Sequence, residues 1–203
     1  MCLGFFHKEY VLRKAHESVR DYLNQSFDEA SELEPAGSSY TNCQFTACDL
    51  SDLAFDGILD TCAFHDCNLS LTSFTGAMLQ GVSFIRCKLV GVDFTRCNAL
   101  GLALHFAECL IRSCNFNLLD LRKTQYVQCD IVESDFMETN LKEANFSHTG
   151  FRTVTFHNTI LVKANFTGAT GYQINPLNNQ IKDAVFSLPD AIVLLECMGV
   201  KLL

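Results

Sequence analysis

The 203-residue sequence has no tryptophan, only three prolines and no common enzyme motif. No P-loop, GxGxxG, GxSxG or HExxH segment occurs, and the histidines are scattered. No apolar run reaches the roughly eighteen residues that a transmembrane helix needs. The first residues lack the basic and then apolar order of a secretory signal. We therefore expect a cytoplasmic protein that is not an enzyme and needs no cofactor or metal.

A bulky apolar residue returns every five positions between about residues 43 and 168. This period fits neither regular element, because five helical steps rotate a side chain by about 140° and five strand steps move it to the opposite face. A chain that turns a corner every five residues instead points all of these side chains into one interior. The clearest members of the series are Phe64, Leu69, Phe74, Leu79, Phe84, Leu89, Phe94, Phe136, Leu141, Phe146, Phe151, Phe156, Leu161 and Phe166.

A small or medium residue stands two positions before most of these bulky residues. Residues two apart on an extended chain face the same way, so both point inward and the other three of each unit face water. Segments 144–148 (ANFSH) and 164–168 (ANFTG) resemble the A(D/N)LXX repeats of the pentapeptide-repeat family. The resemblance implies an all-β solenoid, a right-handed quadrilateral parallel β-helix with four repeats per coil.

Four repeats per coil place residues twenty apart above one another and sort the centres into four columns. Aromatic and mainly aliphatic columns alternate, and this order survives a one-residue deletion between Phe55 and Leu59 and a two-residue insertion between Ala99 and Phe106. We expect the insertion to be a bulge in which Leu102 packs down locally; the alternative is a functional surface loop, for which Leu102 is the candidate interaction residue. The columns are Phe45, Phe64, Phe84, Phe106, Tyr126, Phe146 and Phe166; Leu50, Leu69, Leu89, Ile111, Ile131 and Phe151; Phe55, Phe74, Phe94, Phe116, Phe136 and Phe156; and Leu59, Leu79, Ala99, Leu121, Leu141 and Leu161.

Nine of the eleven cysteines occupy the small inward position, so their placement follows packing. The alternative is a metal or redox site. A zinc site needs ligands that converge tetrahedrally and usually CxxC spacing, whereas CxxxxC here places two sulfurs on adjacent faces. We therefore interpret these cysteines as core residues. Five of them predict a ladder of thiols down one inner edge: Cys48, Cys67, Cys87, Cys109 and Cys129.

The two ends depart from the repeat, and we expect helical caps there. Residues 5–24 carry an apolar stripe at helical spacing, which covers the first coil or, alternatively, docks a partner. We divide the chain into an N-terminal helix and linker (1–42), the β-helix (43–186) and a C-terminal capping helix (187–203). Ser187 is predicted to cap the last helix and Gly199 to end it.

The C-terminal helix is predicted to be apolar on all sides, with Ile192 and Leu195 among its apolar residues. One face can cover the last coil, but the other would remain in water in a monomer. This favours a homodimer through the helix; the alternative is a monomer whose last coil wraps it.

Negative charge is concentrated near the N-terminus. Residues 15–85 have eleven acidic residues and one basic residue, a net charge of −10, whereas residues 86–168 have eight and nine. Qnr-type quinolone-resistance proteins of the resembled family mimic duplex DNA and bind DNA gyrase or topoisomerase IV, so the resemblance implies such a partner. Full mimicry would need roughly eighteen charges along a rod of ~30 Å, whereas residues 43–168 have a net charge of −4. The acidic candidates for contact are Asp49, Asp52, Asp56, Asp60 and Asp66.

We predict a non-catalytic protein-interaction module that binds a topoisomerase-like partner through its acidic end. The alternative is a regulatory or scaffold protein that docks through a terminal helix. An enzyme built on a β-helix would need clustered polar groups, which the pattern does not provide. The low isoelectric point of about 5.1 disfavours direct nucleic-acid binding.

Overall fold

The computed structural model describes residues 20–201. They form a parallel β-solenoid of about eight coils. The strands are β1 (Asp21–Leu23), β2 (Ser26–Phe27), β3 (Ser39–Thr41), β4 (Gln44–Thr46), β5 (Ile58–Asp60), β6 (Ala63–His65), β7 (Met78–Gln80), β8 (Val82–Ile85), β9 (Lys88–Val90), β10 (Leu104–Ala107), β11 (Leu110–Arg112), β12 (Gln125–Val127), β13 (Asp130–Val132), β14 (Gly150–Arg152), β15 (Asn165–Phe166) and β16 (Val185–Phe186). Two 3₁₀-helices (Ala30–Glu32 and Phe94–Arg96) and one α-helix, α1 (Ile192–Cys197), are the other elements of this described part.

The strands stack on four faces, which we number in the order of the predicted columns. Face 1 holds β2, β4, β6, β8, β10 and β12 and continues into β15 and β16. Face 2 holds β9, β11, β13 and β14, and face 4 holds β1, β3, β5 and β7. Face 3 has isolated parallel bridges, such as Asn115 with Asp93 and with Asp135. Every pairing is parallel, as expected when one coil follows another.

The pairing register confirms the predicted four-column arrangement. On face 1, Phe64 pairs with Phe45 and with Phe84. The rings of Phe45 and Phe64 are stacked with centroids 4.4 Å apart. Across the interior the two aromatic columns meet edge to face, as Phe106 and Phe116 do at 6.0 Å and 86°. Such pairs add about 0.5–1.5 kcal/mol each beyond the burial of apolar area.

The small inward residues satisfy backbone groups as well as filling space. The Thr139 hydroxyl donates to the Phe116 carbonyl one coil earlier at 2.9 Å. The Cys87 thiol donates in the same way to the Phe64 carbonyl at 3.3 Å. Because a buried carbonyl gains from a donor, the inward position favours Ser, Thr and Cys alongside Ala and Val.

The corners require a left-handed backbone conformation. Among residues 20–201, twenty-one non-glycine residues have a positive φ, including Leu118 at 63° and Lys163 at 59°. These residues lie two positions after a column centre. Since this conformation is unfavourable for residues with a Cβ, each corner adds local strain that stacking of the coils must offset.

The solenoid begins earlier than predicted. β1 pairs with β3 and β2 pairs with β4, so the first coil occupies part of the segment predicted as helix and linker. Residues 21–23, the end of the predicted helix 5–24, form a strand; residues 5–19 lie outside the described part. The apolar stripe that suggested a helix includes Tyr22, which stacks on Tyr40 at 4.8 Å and so extends the fourth column.

The one-residue deletion after Phe55 is accommodated at Gly57. A Cβ at this glycine would lie 2.0 Å from the Ser38 carbonyl oxygen. The shortened corner brings the backbones of two coils so close that only glycine fits.

The insertion before Phe106 corrects one column assignment. Ala99 is exposed and does not point inward. Leu102 takes the inward place on face 4 and packs half-buried against the core. Because of the two extra residues, the chain at Ala99 lies at the surface, and Leu102 is the residue that packs against the core. The prediction for Ala99 was wrong, whereas the local packing of Leu102 is as expected.

α1 covers the C-terminal end, with Val193 and Leu194 packed against the core. The predicted capping role of Ser187 was wrong, because Ala191 precedes the helix and no side chain caps it. The Ser187 hydroxyl instead accepts the Gly168 N–H of the last coil at 3.0 Å. These groups therefore close the open end of the solenoid and leave the helix start uncapped.

Gly199 ends α1 as predicted. Its φ is +81°, and the Val200 N–H donates to the Leu195 carbonyl at 3.1 Å. The Gly199 N–H donates to the Glu196 carbonyl at 2.9 Å, which completes a Schellman motif.

Candidate interaction surfaces

The first coils carry nearly all of the excess negative charge. Residues 20–66, which we call the acidic coils, contain ten acidic residues and one basic residue, Arg20, a net charge of −9. Residues 67–201 contain eleven of each sign. The described rod therefore has one acidic end and a neutral remainder.

The five predicted acidic contacts form a ring around the rod. Asp49 and Asp52 lie at face 2, Asp56 follows the centre of face 3, Asp60 ends β5 on face 4, and Asp66 follows β6 on face 1. The structure thus brings together Asp49 and Asp52 and distributes the other three around the coil. Five further acids lie in the first coil and were not among the predicted contacts, because that segment was predicted to be a helix and a linker: Asp21, Asp28, Glu29, Glu32 and Glu34.

Several of these carboxylates already have partners. Asp66 forms a bidentate ion pair with Arg86, with both N–O distances 2.8 Å, and this lowers the pKa of Asp66. Asp49 Oδ1 accepts from the Ser51 hydroxyl at 2.7 Å and from the Ser51 N–H, which lowers the pKa of Asp49. Asp52 is exposed and has no side-chain hydrogen bond among residues 20–201. It is therefore the most available of the five for a partner.

The insertion opens the hydrogen-bond ladder of face 4 at one place. In most coils the residue before the centre of this face donates its N–H to the preceding coil, as Asn98 does to Ala77 at 2.8 Å and Asn140 to Leu119 at 2.9 Å. Asp120 occupies the same position, but its N–H makes no such bond among the described residues. The two extra residues displace the strand that would have accepted it.

A groove lies at this opening. Its volume is about 480 Å³, and it is lined by Ala99, Gly101, Leu102, Asp120, Arg122 and Lys123. Arg122 pairs with Asp120 at 2.7 Å, which raises the pKa of Arg122. Of the predicted interaction residues, Leu102 therefore forms part of the groove wall and does not project into solvent.

The C-terminal end is apolar. Leu195 is 43% exposed, and Leu188, at 80%, is the most exposed large apolar residue in the described chain. Ile192, the other predicted contact, is half-buried. Half of the exposed large apolar residues of the described chain lie between residues 177 and 200: Leu177, Val185, Leu188, Leu195, Met198 and Val200.

The cysteines of the repeats are buried and unpaired. The predicted ladder exists: the Cys87 N–H donates to Cys109 Sγ at 3.4 Å. Burial raises the pKa of Cys62 and of Cys114 to about 11, so these thiols stay protonated and unreactive at neutral pH. Among residues 20–201 no group of three or more His, Cys, Asp or Glu side chains is placed to hold a metal ion. In the same part of the chain, no helix is long and apolar enough to cross a bilayer.

Two family models match the sequence. One, described as a pentapeptide repeat region, matches residues 38–113, and the other, described as pentapeptide repeats in eight copies, matches 127–158 and 134–170. Together they account for more than half of the chain. A search of curated protein sequences found no match.

Two solved structures of trypsin-treated QnrB1 variants, each described as a plasmid-mediated fluoroquinolone resistance protein, have a similar fold. The TM-scores are 0.71 and 0.66 at 15% identity, and each comparison covers 91% of this chain and 98% of the other. At this identity the likeness shows the fold alone.

Proposed function

Because this chain belongs to the pentapeptide-repeat family and carries its negative charge at one end, we propose that it is a protein-interaction module that binds a type II topoisomerase, DNA gyrase or topoisomerase IV. The observation that carries this proposal is the net charge of −9 in the acidic coils. A surface that holds duplex DNA is basic, and such a surface attracts and orients an acidic partner. The description of QnrB1 as a fluoroquinolone resistance protein supports the choice of partner. Such a partner implies a cytoplasmic location.

The ring arrangement limits how far DNA mimicry extends. The acids surround the first coils on all four faces, whereas the remaining coils are neutral. A contact driven by charge therefore uses the acidic coils alone and leaves the rest of the rod as a spacer. This differs from a negative stripe along the whole rod, which would follow the charge of about one per 1.7 Å along duplex DNA.

A supercoiling assay with purified gyrase, with and without a quinolone, tests the proposal. We expect the full chain to change supercoiling or to protect it from the drug at micromolar concentration. The triple variant Asp28→Asn, Glu32→Gln, Asp52→Asn removes three exposed charges of the acidic coils and should weaken the effect at least tenfold. The matched variant Glu108→Gln, Glu138→Gln, Asp183→Asn removes three from the neutral part and should leave it unchanged. No effect of the native chain, or equal loss in both variants, would overturn the proposal.

We also propose that the apolar C-terminal end joins two copies of the chain. Contiguous exposed apolar surface marks protein contacts, and a two-fold dimer buries the same patch of both copies. Sedimentation velocity should show a dimer that Leu195→Glu converts to a monomer, whereas Leu118→Glu, at an exposed apolar residue in the middle of the rod, should not. A monomeric native chain would exclude the dimer. If the gyrase assay also fails, this end favours the second candidate function, a scaffold or regulatory protein for another partner.

A further inference from the structure

The groove at the broken ladder of face 4 has the features of a binding site for a main-chain segment. Two backbone donors border the groove, those of Gly101 and Asp120, and neither N–H group has an acceptor among the described residues. Donors left without a partner at a strand edge are a template for an added strand. The side-chain amide of Gln80 lies against Gly101: a Cβ atom added to this glycine would be 2.5 Å from Gln80 Nε2. This amide adds a further hydrogen-bonding group at the groove.

The side chains of the groove favour a singly charged anion. Arg122 is already neutralised by Asp120 at 2.7 Å. Lys123, whose side chain is 76% exposed, has a single distant contact, with Glu143 at 3.9 Å. One cation is therefore available, while the Asp120 carboxylate disfavours a ligand with two negative charges. Ala99 and Leu102 supply an apolar wall.

From these features we infer that the groove binds an extended peptide segment that carries an acidic side chain. A main-chain carbonyl of the segment accepts from Asp120 N–H, its carboxylate pairs with Lys123, and an apolar side chain rests on Leu102. The volume of about 480 Å³ fits a few residues. The groove lies outside the acidic coils, so this site does not depend on topoisomerase binding.

The test uses the full-length ¹⁵N-labelled protein titrated with the blocked, singly charged peptide acetyl-Val-Glu-Val-amide and followed by NMR. We expect the amide signals of Gly101 and Asp120 to shift on binding. Lys123→Glu should raise the dissociation constant at least tenfold, whereas Lys163→Glu, at the equivalent corner two coils later, should change it less than twofold. Acetyl-Val-Lys-Val-amide and inorganic phosphate serve as the competing probes.

Deletion of Leu100 and Gly101 gives a second, independent variant. It restores the regular repeat length, and the dispersed amide spectrum shows whether the fold is retained. Peptide binding should be lost in this folded variant. The inference is overturned if the basic peptide or phosphate shifts the same signals as strongly, if Lys163→Glu weakens binding as much as Lys123→Glu, or if no signal near the groove moves.

Discussion

Tyr126 stacks on Phe106 with ring centroids 4.9 Å apart, and its hydroxyl group is buried without a hydrogen-bond partner in the described structure. A tyrosine thus occupies a place in the face 1 column where every other coil from Phe27 to Phe186 has a phenylalanine. The phenol gains the stacking energy of the column and loses the hydration of its hydroxyl. Burial accordingly raises the pKa of Tyr126 well above its ordinary value.

Replacing Tyr126 with phenylalanine should therefore stabilise the protein. Removing an unsatisfied buried hydroxyl while keeping the ring is expected to raise the free energy of unfolding by about 1 kcal/mol, as measured by urea denaturation. Tyr22→Phe is the control, because Tyr22 is half-buried and its hydroxyl is not among the buried unsatisfied groups. A loss of stability in Tyr126→Phe would show that the hydroxyl has a partner.

The buried thiols predict a loss of stability at alkaline pH. The pKa of Cys114 is raised to about 11 in the folded chain from an ordinary value of 9.0. Below pH 9 the thiol is protonated in both states and pH has no effect; above it the unfolded chain loses the proton first, so the free energy of unfolding falls up to about pH 11. The slope for one such group is about 1.4 kcal/mol per pH unit.

Urea denaturation under reducing conditions at pH 8, 9 and 10 measures this slope. Cys114→Ala should make the dependence of the unfolding free energy on pH less steep, by the contribution of one thiol, about 1.4 kcal/mol per pH unit above pH 9. Cys197→Ala is the control, since that residue is half-exposed in α1 and not part of the repeats. Equal slopes for Cys114→Ala and the native chain would contradict the prediction.

Gly57 should be intolerant of any side chain. Gly57→Ala forces a Cβ to within 2.0 Å of the Ser38 carbonyl oxygen, so the two backbones must separate. We expect a loss of about 3 kcal/mol in the free energy of unfolding. Gly76→Ala provides the comparison: its φ is +80° but no atom lies within 4 Å of the added Cβ, so it should cost only about 1 kcal/mol. Similar losses in both variants would show that the close approach to Ser38 is not limiting.

The protein should become more stable when Leu118, at a corner, is replaced by a residue that adopts a positive φ more readily. Leu118 is 72% exposed with φ +63°, and asparagine adopts this conformation more readily than other residues with a Cβ. Leu118→Asn should raise the melting temperature by a few degrees, equivalent to about 0.5–1 kcal/mol. Leu118→Ala removes the same apolar exposure without easing the backbone. If alanine stabilises as much as asparagine, the strain at this corner is negligible.

The repeat region was predictable because the bulky side chain of each five-residue repeat must reach the core. A coil that turns a corner at every repeat brings residues such as Phe64 and Phe116 into one interior. The first coil was not predictable from this rule. Tyr22 and Tyr40 are eighteen residues apart instead of twenty, and the surrounding apolar residues fall at helical spacing. The position of Ala99 was missed for a related reason, because an insertion leaves more than one residue able to take the inward place.

The interaction surfaces were predictable in composition but not in arrangement. The sequence shows how many acids precede Asp66, whereas their distribution around four faces depends on the exact register of each corner. The insertion between Ala99 and Phe106 marks where the groove lies, but the sequence does not show that a groove forms there. The missing hydrogen bond at Asp120 becomes visible only when the neighbouring coils are compared.

The same missing bond weakens the coupling between two parts of the rod. In a solenoid each coil is stabilised only by its nearest neighbours, so the stability of the whole depends on the coupling energy at every interface. At the interface beneath Asp120, residues 99–102 make no backbone hydrogen bond to the next coil among the described residues. We therefore expect opening fluctuations to start there as well as at the ends, and we expect the parts before Ala99 and after Asp120 to exchange their amide hydrogens with different free energies.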